Sequence, residues 1–270
     1  MSERPVVFIT GASQGIGAAT AEEFARRGYD TALLARNKDN LERVAETVRG
    51  LGGNAAVYPG DLADLEYAEG AVAQCAKELG RIDVLVNNAA WREIVPLTTI
   101  SIESWDLTLR IMLTAPAFLA RWCAPHMERI GKGVIINISS LQSERVSGFG
   151  TQYMVAKGGL DTLTMDLASL YGSRGIRTVG LNLGAIDTAM SDDYESPSGE
   201  NISKTLREYS EDMIPLRRWG RPEEIGRCIA MFASDDASYI NGANVLVEGG
   251  WSHALWPHSI KSKMFPEEFK

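Results

Sequence analysis

Short apolar runs alternate with longer amphipathic segments along almost the whole chain. Seven such runs predict strands, at residues 6–10, 31–35, 55–58, 82–86, 134–138, 177–183 and 244–248. Continuous apolar runs of this length are typical of strands buried on both faces. Alternation with helices favours a parallel sheet with right-handed crossovers. The sequence therefore predicts a single doubly wound, Rossmann-type α/β domain over residues 1–270, with a seven-stranded parallel sheet and helices on both faces.

The segments between these runs have helical periodicity. They predict helices at residues 15–28, 40–49, 62–79, 102–129, 153–171 and 222–233. Pro116 and Pro125 fall inside the longest of these and predict a kink there, because proline lacks the N–H that a helix interior needs. Two segments lie outside the alternation: a polar stretch within 189–215 and a tail over 251–270.

Charge and composition exclude several classes of protein. The 270 residues carry a formal net charge of −8, which counts against a nucleic-acid binder or a protein of anionic membrane surfaces. No apolar stretch reaches membrane-spanning length. The three cysteines are dispersed and without a CxxC pair, and the three histidines form no ligand pattern, so no metal is predicted. We expect a cytoplasmic protein that acts on a small molecule.

A glycine-rich turn joins the first predicted strand to the first predicted helix. It reads TGASQGIG from Thr10 to Gly17, with the spacing GxxxGxG. Glycines let the backbone approach a pyrophosphate closely, and the helix N-terminus behind the turn offers free N–H groups and a positive dipole end. This predicts a dinucleotide site; the alternative is a tight turn that binds nothing. The predicted contacts within the turn are Gly11, Ser13, Gly15, Ile16 and Gly17.

The end of the second predicted strand bears on which dinucleotide binds. Enzymes that prefer NAD usually have an acidic residue there, to bond the ribose 2′-hydroxyl. Here the strand ends in Ala35, Arg36 and Asn37, with no acid. A guanidinium can pair with a 2′-phosphate, so Arg36 favours NADP(H), with NAD left possible. The alternative is a solvated arginine in a turn.

A tyrosine and a lysine stand four residues apart, which places them on one face of a helix. They are Tyr153 and Lys157. A free phenol has a pKa near 10, and a nearby ammonium favours the phenolate, so the pair is suited to proton exchange. Ser140 ends the fifth predicted strand, at the edge where open α/β sheets bind ligands, and is suited to hold a substrate oxygen. The alternative for the pair is an exposed helix surface.

Five motifs in this order resemble the short-chain dehydrogenases/reductases. They are the TGxxxGxG turn, Asp61-Leu62, Asn87-Asn88-Ala89, Ser140 and the Tyr153/Lys157 pair. The resemblance runs from Val6 to about Gly250. It implies hydride transfer with a nicotinamide cofactor and with Tyr153 as the acid/base, Lys157 as the group that lowers the tyrosine pKa and binds the cofactor ribose, and Ser140 as the group that orients the substrate. The remaining implied cofactor contacts are Asp61, Leu62, Asn88, Ile186 and Thr188.

Three positions depart from the family pattern. Residue 90 is Ala instead of Gly, and Leu183-Gly184 replaces a Pro-Gly pair. The third departure concerns catalysis directly: Met112 occupies the place of an Asn that helps to hold a proton-relaying water, and a thioether is a weak acceptor. An active enzyme with a rebuilt relay and a catalytically impaired nucleotide-binding protein are both open.

The segment 189–215 takes the place of the family's substrate-covering loop. Between residues 191 and 212 it has seven acidic and two basic residues, a net charge of −5 that should repel anionic substrates. This favours a neutral ketone or secondary alcohol, and Trp91 is a candidate wall of the pocket. The alternative enzyme is a 3-oxoacyl-thioester reductase, for which Arg121, Arg129, Lys132, Arg174 and Arg177 would supply a basic rim. The resemblance also implies a homo-oligomer, a dimer or tetramer, and the 251–270 tail covers either a neighbour's site or its own subunit.

Overall fold

The fold is a seven-stranded parallel sheet in the order β3-β2-β1-β4-β5-β6-β7. It was obtained as a computed structural model, in which residues 4–192, 194–196 and 198–270 are described. The strands are β1 Val6–Thr10, β2 Asp30–Ala35, β3 Ala55–Pro59, β4 Val84–Asn87, β5 Gly133–Ser140, β6 Ile176–Leu183 and β7 Asn244–Val247. All of the strand pairs are parallel. The predicted doubly wound sheet is confirmed.

Helices cover both faces of the sheet. They are α1 Gly15–Arg26, α2 Lys38–Gly50, α3 Leu65–Leu79, α4 Ile102–Leu109, α5 Ala115–Ile130, α6 Thr151–Tyr171, α7 Ser203–Met213, α8 Pro222–Ala233 and α9 His258–Met264. Alternate residues of each strand point to opposite faces. In β1, Val7 and Ile9 pack with α1, α2 and α8, whereas Val6 and Phe8 pack with α3 and α5. Strand β1 is apolar almost throughout because it belongs to two cores.

The long predicted helix is two α-helices joined by a wider turn. Residues 110–114 form one turn of π-helix between α4 and α5, and the Ala115 N–H reaches back five residues to the Arg110 carbonyl. Proline at 116, the second residue of α5, accounts for the position of this break, since it has no N–H to offer. Pro125 lies inside α5. The kink predicted from the prolines therefore takes the form of a π turn that contains Met112.

Two helices lie where the sequence predicts none. Helix α7 occupies the polar segment, and α9 lies in the tail. In α7 the residues Leu206, Ser210 and Met213 repeat at helical spacing, a signal that the surrounding charged residues obscure. Nowhere in the described part of the chain is a helix both long and apolar enough to cross a membrane.

The sheet order determines where a ligand site can form. Strand order reverses between β1 and β4, so the connections after these two strands leave in opposite directions. In open α/β sheets this switch point opens a crevice at the carboxyl ends of the strands. The glycine-rich turn follows β1, and Asn88 follows β4, so both stand at this crevice.

Candidate active site

A cavity of about 980 Å³ lies along the carboxyl ends of the strands. All but one of the residues predicted to form the site line it. They are Gly11, Ser13, Gly15, Ile16, Arg36, Asp61, Leu62, Asn88, Ser140, Tyr153, Lys157, Ile186 and Thr188. The exception is Gly17, which is buried behind the turn and does not reach the cavity. Its place among the cofactor-binding residues stays a prediction, and its close packing behind the turn is described below.

The glycine-rich turn leaves a helix end open toward the cavity. Gly11 and Gly15 have φ angles of +65° and +54°, which a residue with a side chain rarely adopts. No side chain caps α1, whereas Asn37, Asp64 and Ser101 cap α2, α3 and α4. The first N–H groups of α1 are therefore without a capping acceptor from the chain, as expected of a site for a phosphate group.

Close packing behind this turn depends on Gly17. A Cβ atom there would lie 2.2 Å from the Gly11 carbonyl oxygen and 2.8 Å from Nδ2 of Asn88. Asn88 donates from Nδ2 to the carbonyls of Thr10 and Gly11, at 3.0 and 3.2 Å. The Thr10 hydroxyl accepts the N–H groups of Asn88 and Ala89, at 3.0 and 3.1 Å. The sequence did not single out Thr10, but these contacts tie the turn to the end of β4.

One end of the cavity has the residues predicted to contact an adenosine moiety. Leu62 is buried, and Asp61 and Arg36 are exposed at the rim. Asp61 accepts the Ala63 N–H at 2.9 Å, which fixes its carboxylate, and Asn37 is occupied with capping α2. The Arg36 guanidinium is thus the basic group at this rim. No cluster of His, Cys, Asp or Glu suited to a metal ion occurs among the described residues.

The Tyr153 side chain lies at the other end of the cavity, half-buried among polar groups. Burial raises the pKa of Tyr153, while a hydrogen bond with Ser140 and the charge of Arg92 oppose that rise. Ser140 is itself buried and also accepts the Gln142 N–H at 3.1 Å. Arg92 comes from the loop after β4, and no sequence pattern around it indicated that it would face the tyrosine.

The Lys157 ammonium is buried next to this phenol. Its Nζ donates to the Ile138 carbonyl at 2.6 Å and lies 5.6 Å from the centre of the Tyr153 ring. Burial lowers the pKa of Lys157 to about 8, against the opposing charge of Asp161. The groups that act to lower the tyrosine pKa here are Ser140 and Arg92. The role of Lys157 in lowering it stays a prediction from the sequence.

The backbone carbonyl of Met112, which lies in the π turn, has no α-helical hydrogen-bond donor. In an α-helix the carbonyl of residue 112 would accept the N–H of residue 116, which is Pro116. Proline has no N–H, so the Met112 carbonyl has no α-helical donor. The Met112 side chain is buried in the core with Ile111 and Ala156. Position 112 therefore offers a backbone oxygen as an acceptor, whereas an asparagine would also offer a side-chain amide.

The substrate end of the cavity is lined by aromatic and apolar side chains of the 189–215 segment and of the loop after β4. Trp91 lines it, as predicted from the sequence. Arg92 donates to the Tyr194 hydroxyl at 2.6 Å and to the Met190 carbonyl, and its guanidinium stacks 4.5 Å from the centre of the Tyr194 ring. The segment is thus attached to the loop that follows Asn88.

The acidic residues of this segment do not face the cavity. None of those described lines it, and Asp193 lies outside the described residues. Arg207 pairs with Asp187 and Glu211, at 2.9 and 3.1 Å, and Asp212 pairs with Arg217 at 3.0 Å. The described acidic residues of the segment therefore stand away from the cavity, so the expected repulsion of anions is weaker inside it.

The tail contributes to the wall of the cavity in its own subunit. Trp251, Ser252 and Ala254 line it, and Arg145 donates to the Ser252 carbonyl at 2.9 Å. Helix α9 is joined to the end of α7, since Ser259 donates from its backbone and its hydroxyl to Asp212, at 2.9 and 2.6 Å. The tail thus supports the segment that covers the cavity.

Comparisons with known proteins agree with this geometry. A family model described as enoyl-(acyl carrier protein) reductase matches residues 11–252. The chain is 32% identical to a 3-oxoacyl-[acyl-carrier-protein] reductase of Thermotoga maritima, over 92% of this chain and 98% of that protein. It is 30% identical to a D-threitol dehydrogenase of Mycolicibacterium smegmatis, over 92% of each.

A solved structure is similar over the same length. It is the L-sorbose reductase of Gluconobacter frateurii, complexed with NADPH and L-sorbose, with a TM-score of 0.86 and 28% sequence identity. The similarity covers 92% of this chain and 96% of that one. The fold is therefore shared with enzymes of redox chemistry.

Proposed function

Because the chain belongs to the short-chain dehydrogenase/reductase family, we propose that it is an NADP(H)-dependent oxidoreductase that interconverts a neutral ketone and a secondary alcohol. The observation that carries this proposal is the shared cavity. Ser140, Tyr153 and Lys157 lie at one end of it, and the uncapped N-terminus of α1 with its glycine turn lies along the same wall. A hydride donor or acceptor and an acid/base thus have places in one enclosed site.

The cavity fits a dinucleotide at its glycine-lined side. The turn would hold the pyrophosphate, Asp61 and Leu62 would flank the adenine, and Ile186 and Thr188 would contact the nicotinamide end. Asn88 and Lys157 would line the ribose. When bound, the cofactor supplies the hydride to the carbonyl carbon or takes it back from the alcohol carbon.

Tyr153 would move the proton that accompanies this hydride. In the reductive direction its hydroxyl donates the proton to the carbonyl oxygen, and in the oxidative direction its phenolate takes the alcohol proton. Ser140 hydrogen-bonds the same oxygen and holds it against the phenol. Ser140 and Arg92 both lower the pKa of the phenol, which makes the buried phenolate easier to form.

Met112 does not remove the means of recharging the tyrosine. The proton path would run from Tyr153 to Lys157 and on to a water held by backbone oxygen, for which the Met112 carbonyl is available because Pro116 lacks an N–H. This supports the active enzyme over the catalytically impaired nucleotide-binding protein.

The preference for NADP(H) rests on Arg36. Its guanidinium stands at the exposed rim where β2 ends, with no acidic residue in the Ala35-Arg36-Asn37 turn. A 2′-phosphate there would gain a charge-assisted hydrogen bond, and a bare 2′-hydroxyl would find no carboxylate to bond in that turn.

The neutral substrate is supported by the lining of the cavity. Trp91, Phe149, Leu206 and Trp251 contribute apolar surface, and Arg145 is bonded to the tail. The 3-oxoacyl-thioester alternative has less support, because none of the five residues named for its basic rim lines the cavity and three of them are engaged elsewhere. Lys132 pairs with Asp235, Arg174 pairs with Glu128, and Arg177 donates to backbone carbonyls.

We also propose that the enzyme is a cytoplasmic homo-oligomer. Val155, Met165 and Leu170 project from α6 as exposed apolar side chains, and Tyr239 is fully exposed beside β7. These are the long central helix and the last-strand region through which related dimers and tetramers are usually built. Light scattering tests the assembly, and a monomeric mass would contradict it.

The function is tested by following NADPH oxidation with a panel of ketones, sugars and quinones. We expect turnover by the wild-type protein and a loss of at least about 100-fold in Tyr153→Phe, since acid/base catalysis contributes 10²–10⁴-fold. NADPH should still bind to the variant, because the turn at Gly11 is unchanged.

Tyr29→Phe is the matched control. It removes the same hydroxyl from a tyrosine at the amino end of β2, outside the cavity lining, and it should keep wild-type turnover. Equal inertness of the wild type and of Tyr153→Phe, with NADPH still bound, would favour the impaired nucleotide-binding protein. Turnover undiminished in Tyr153→Phe would reject the assigned acid/base.

A further inference from the structure

Helix α6 has a third ionisable residue in register with the two already described. Tyr153, Lys157 and Asp161 follow one another at intervals of four, so they lie along one face of the helix. Asp161 is only 8% exposed, and Lys157 only 3%. A buried carboxylate therefore stands one turn after the buried ammonium of the candidate site.

The surroundings of Asp161 do not neutralise its charge. Its Oδ2 accepts a hydrogen bond from Nδ2 of Asn182 in β6 at 2.8 Å, and its Oδ1 is buried with no hydrogen-bond partner among the described residues. The same Asn182 amide donates to the Ser143 hydroxyl at 3.0 Å. Asn244 donates to the Asp161 backbone carbonyl and not to the carboxylate. A carboxylate held by one neutral donor is costly to bury, so packing alone does not explain it.

The groups around Lys157 leave Asp161 as its counter-charge. On α6, Lys157 lies on the same face as Tyr153 and Asp161. Toward β5, its Nζ donates to the neutral Ile138 carbonyl. Arg92 and Tyr194, the charged and titratable groups on the cavity side, act on Tyr153. Among the described residues, Asp161 is the charge that acts on Lys157, and it acts in favour of the protonated amine.

We propose that Asp161 is a positioning residue for proton transfer, whose carboxylate acts through space to keep the buried Lys157 protonated at neutral pH. Burial works against the ammonium, and a carboxylate on the adjacent turn offsets part of that cost. A protonated Lys157 then stabilises the phenolate that Tyr153 leaves after donating its proton. This inference rests on the proposed function for its catalytic consequence, but the charge state of Lys157 is measurable without it.

The test is an NMR titration of the ligand-free protein labelled with 13C at the lysine ε-carbon. The chain has eight lysines, and Lys157→Met identifies the signal. In the wild type this signal should titrate near pH 8. In Asp161→Asn we expect the midpoint of the Lys157 signal to fall by about 1 pH unit or more, as for the loss of an opposite charge one helical turn away. The alkaline limb of kcat/KM for ketone reduction should move down by the same amount.

Ser143→Ala is the matched control, since it removes a hydrogen bond from the same Asn182 amide and leaves the carboxylate charged. Its Lys157 midpoint should equal that of the wild type. Asp161→Glu, which keeps the charge, should restore most of the midpoint. If Asp161→Asn does not fold, as judged by thermal melting, Asp161→Ser is subject to the same prediction with a smaller neutral side chain.

A Lys157 midpoint unchanged in a folded neutral variant at position 161 would overturn the proposal. A midpoint lowered equally by Ser143→Ala would also overturn it, because the effect would then come from packing and not from charge. Failure of the proposed function would give a different result, because Tyr153→Phe would then keep its activity. The Lys157 titration is measured separately and does not depend on that result.

Discussion

Substitution of Gly17 by alanine separates two effects that act in opposite directions. Gly17 lies in the first turn of α1, where alanine is the better helix former by about 1 kcal/mol. The added Cβ would, however, lie 2.2 Å from the Gly11 carbonyl oxygen and 2.9 Å from the Ala12 Cα. Carbon–oxygen contacts are normally about 3.3 Å or more, so the turn must move by about 1 Å.

The displaced atoms are backbone and not the end of a flexible side chain. Overpacking of this kind costs about 1–3 kcal/mol, which cancels or exceeds the gain in helix propensity. The moving segment also has the N–H groups predicted to hold the pyrophosphate, and a misplacement of about 1 Å costs on the order of 100-fold in a catalytic arrangement. We expect Gly17→Ala to lower kcat/KM and NADPH affinity by about that factor, with unfolding stability unchanged or lower by up to about 2 kcal/mol.

The assay is fluorescence titration with NADPH, combined with thermal or urea unfolding. Gly70→Ala is the matched control: Gly70 lies in helix α3, and a Cβ there meets nothing within 4 Å. That variant should bind NADPH as the wild type does and gain up to about 1 kcal/mol of stability. Wild-type NADPH affinity in Gly17→Ala would refute the inference that the turn tolerates no side chain at this position.

Three further predictions concern other parts of the site. Arg36→Glu should lower the ratio of NADPH to NADH affinity by about 10- to 100-fold, as for the loss of one charge-assisted hydrogen bond. The dissociation constants of both cofactors are measured for wild type and variant, and an equal ratio in the two proteins would contradict the prediction. Pro116→Ala should restore an α-helical donor for the Met112 carbonyl, so that thermal stability rises while kcat falls; an unchanged kcat would exclude that carbonyl from the proton path. Arg92→Met should raise the pKa of Tyr153, because the guanidinium lowers it, and should move the rising limb of alcohol oxidation to higher pH, whereas Arg92→Lys should move it less. A profile independent of position 92 would show that the charge does not reach the phenol.

Most of the sheet was predictable because its signals are local. Most strands contain a continuous apolar run, and the segment in β1, VVFIT, is buried at every position. Helix α7 was not predictable in the same way, because the residues at helical spacing, Leu206, Ser210 and Met213, stand among charged residues. The π turn at residues 110–114 was also missed in form, because a proline predicts a break but not whether the backbone will kink or widen.

In the candidate site, too, some residues were predictable from local sequence patterns and others were not. The glycine turn, Ser140, Tyr153 and Lys157 are identified by short spacings, and the structure brings them to one cavity. The neighbours that tune them come from distant segments: Arg92 reaches Tyr153 from the loop after β4, and Thr10 bonds the backbone of Asn88 across 78 positions of sequence. No local sequence pattern predicts these contacts, because they depend on the order of the strands in the sheet.

The sequence by itself determined the alternation of strands and helices, the family, and the chemical groups available for proton and hydride transfer. These follow from local periodicity and from residue types at fixed spacing along one strand or helix. Only the tertiary structure decided that Glu208, Glu211 and Asp212 are held in ion pairs away from the cavity, that Gly17 is packed behind the turn, and that a buried carboxylate stands one turn from Lys157. Burial and long-range electrostatics depend on which segments the sheet brings together, and that arrangement exists only in the folded chain.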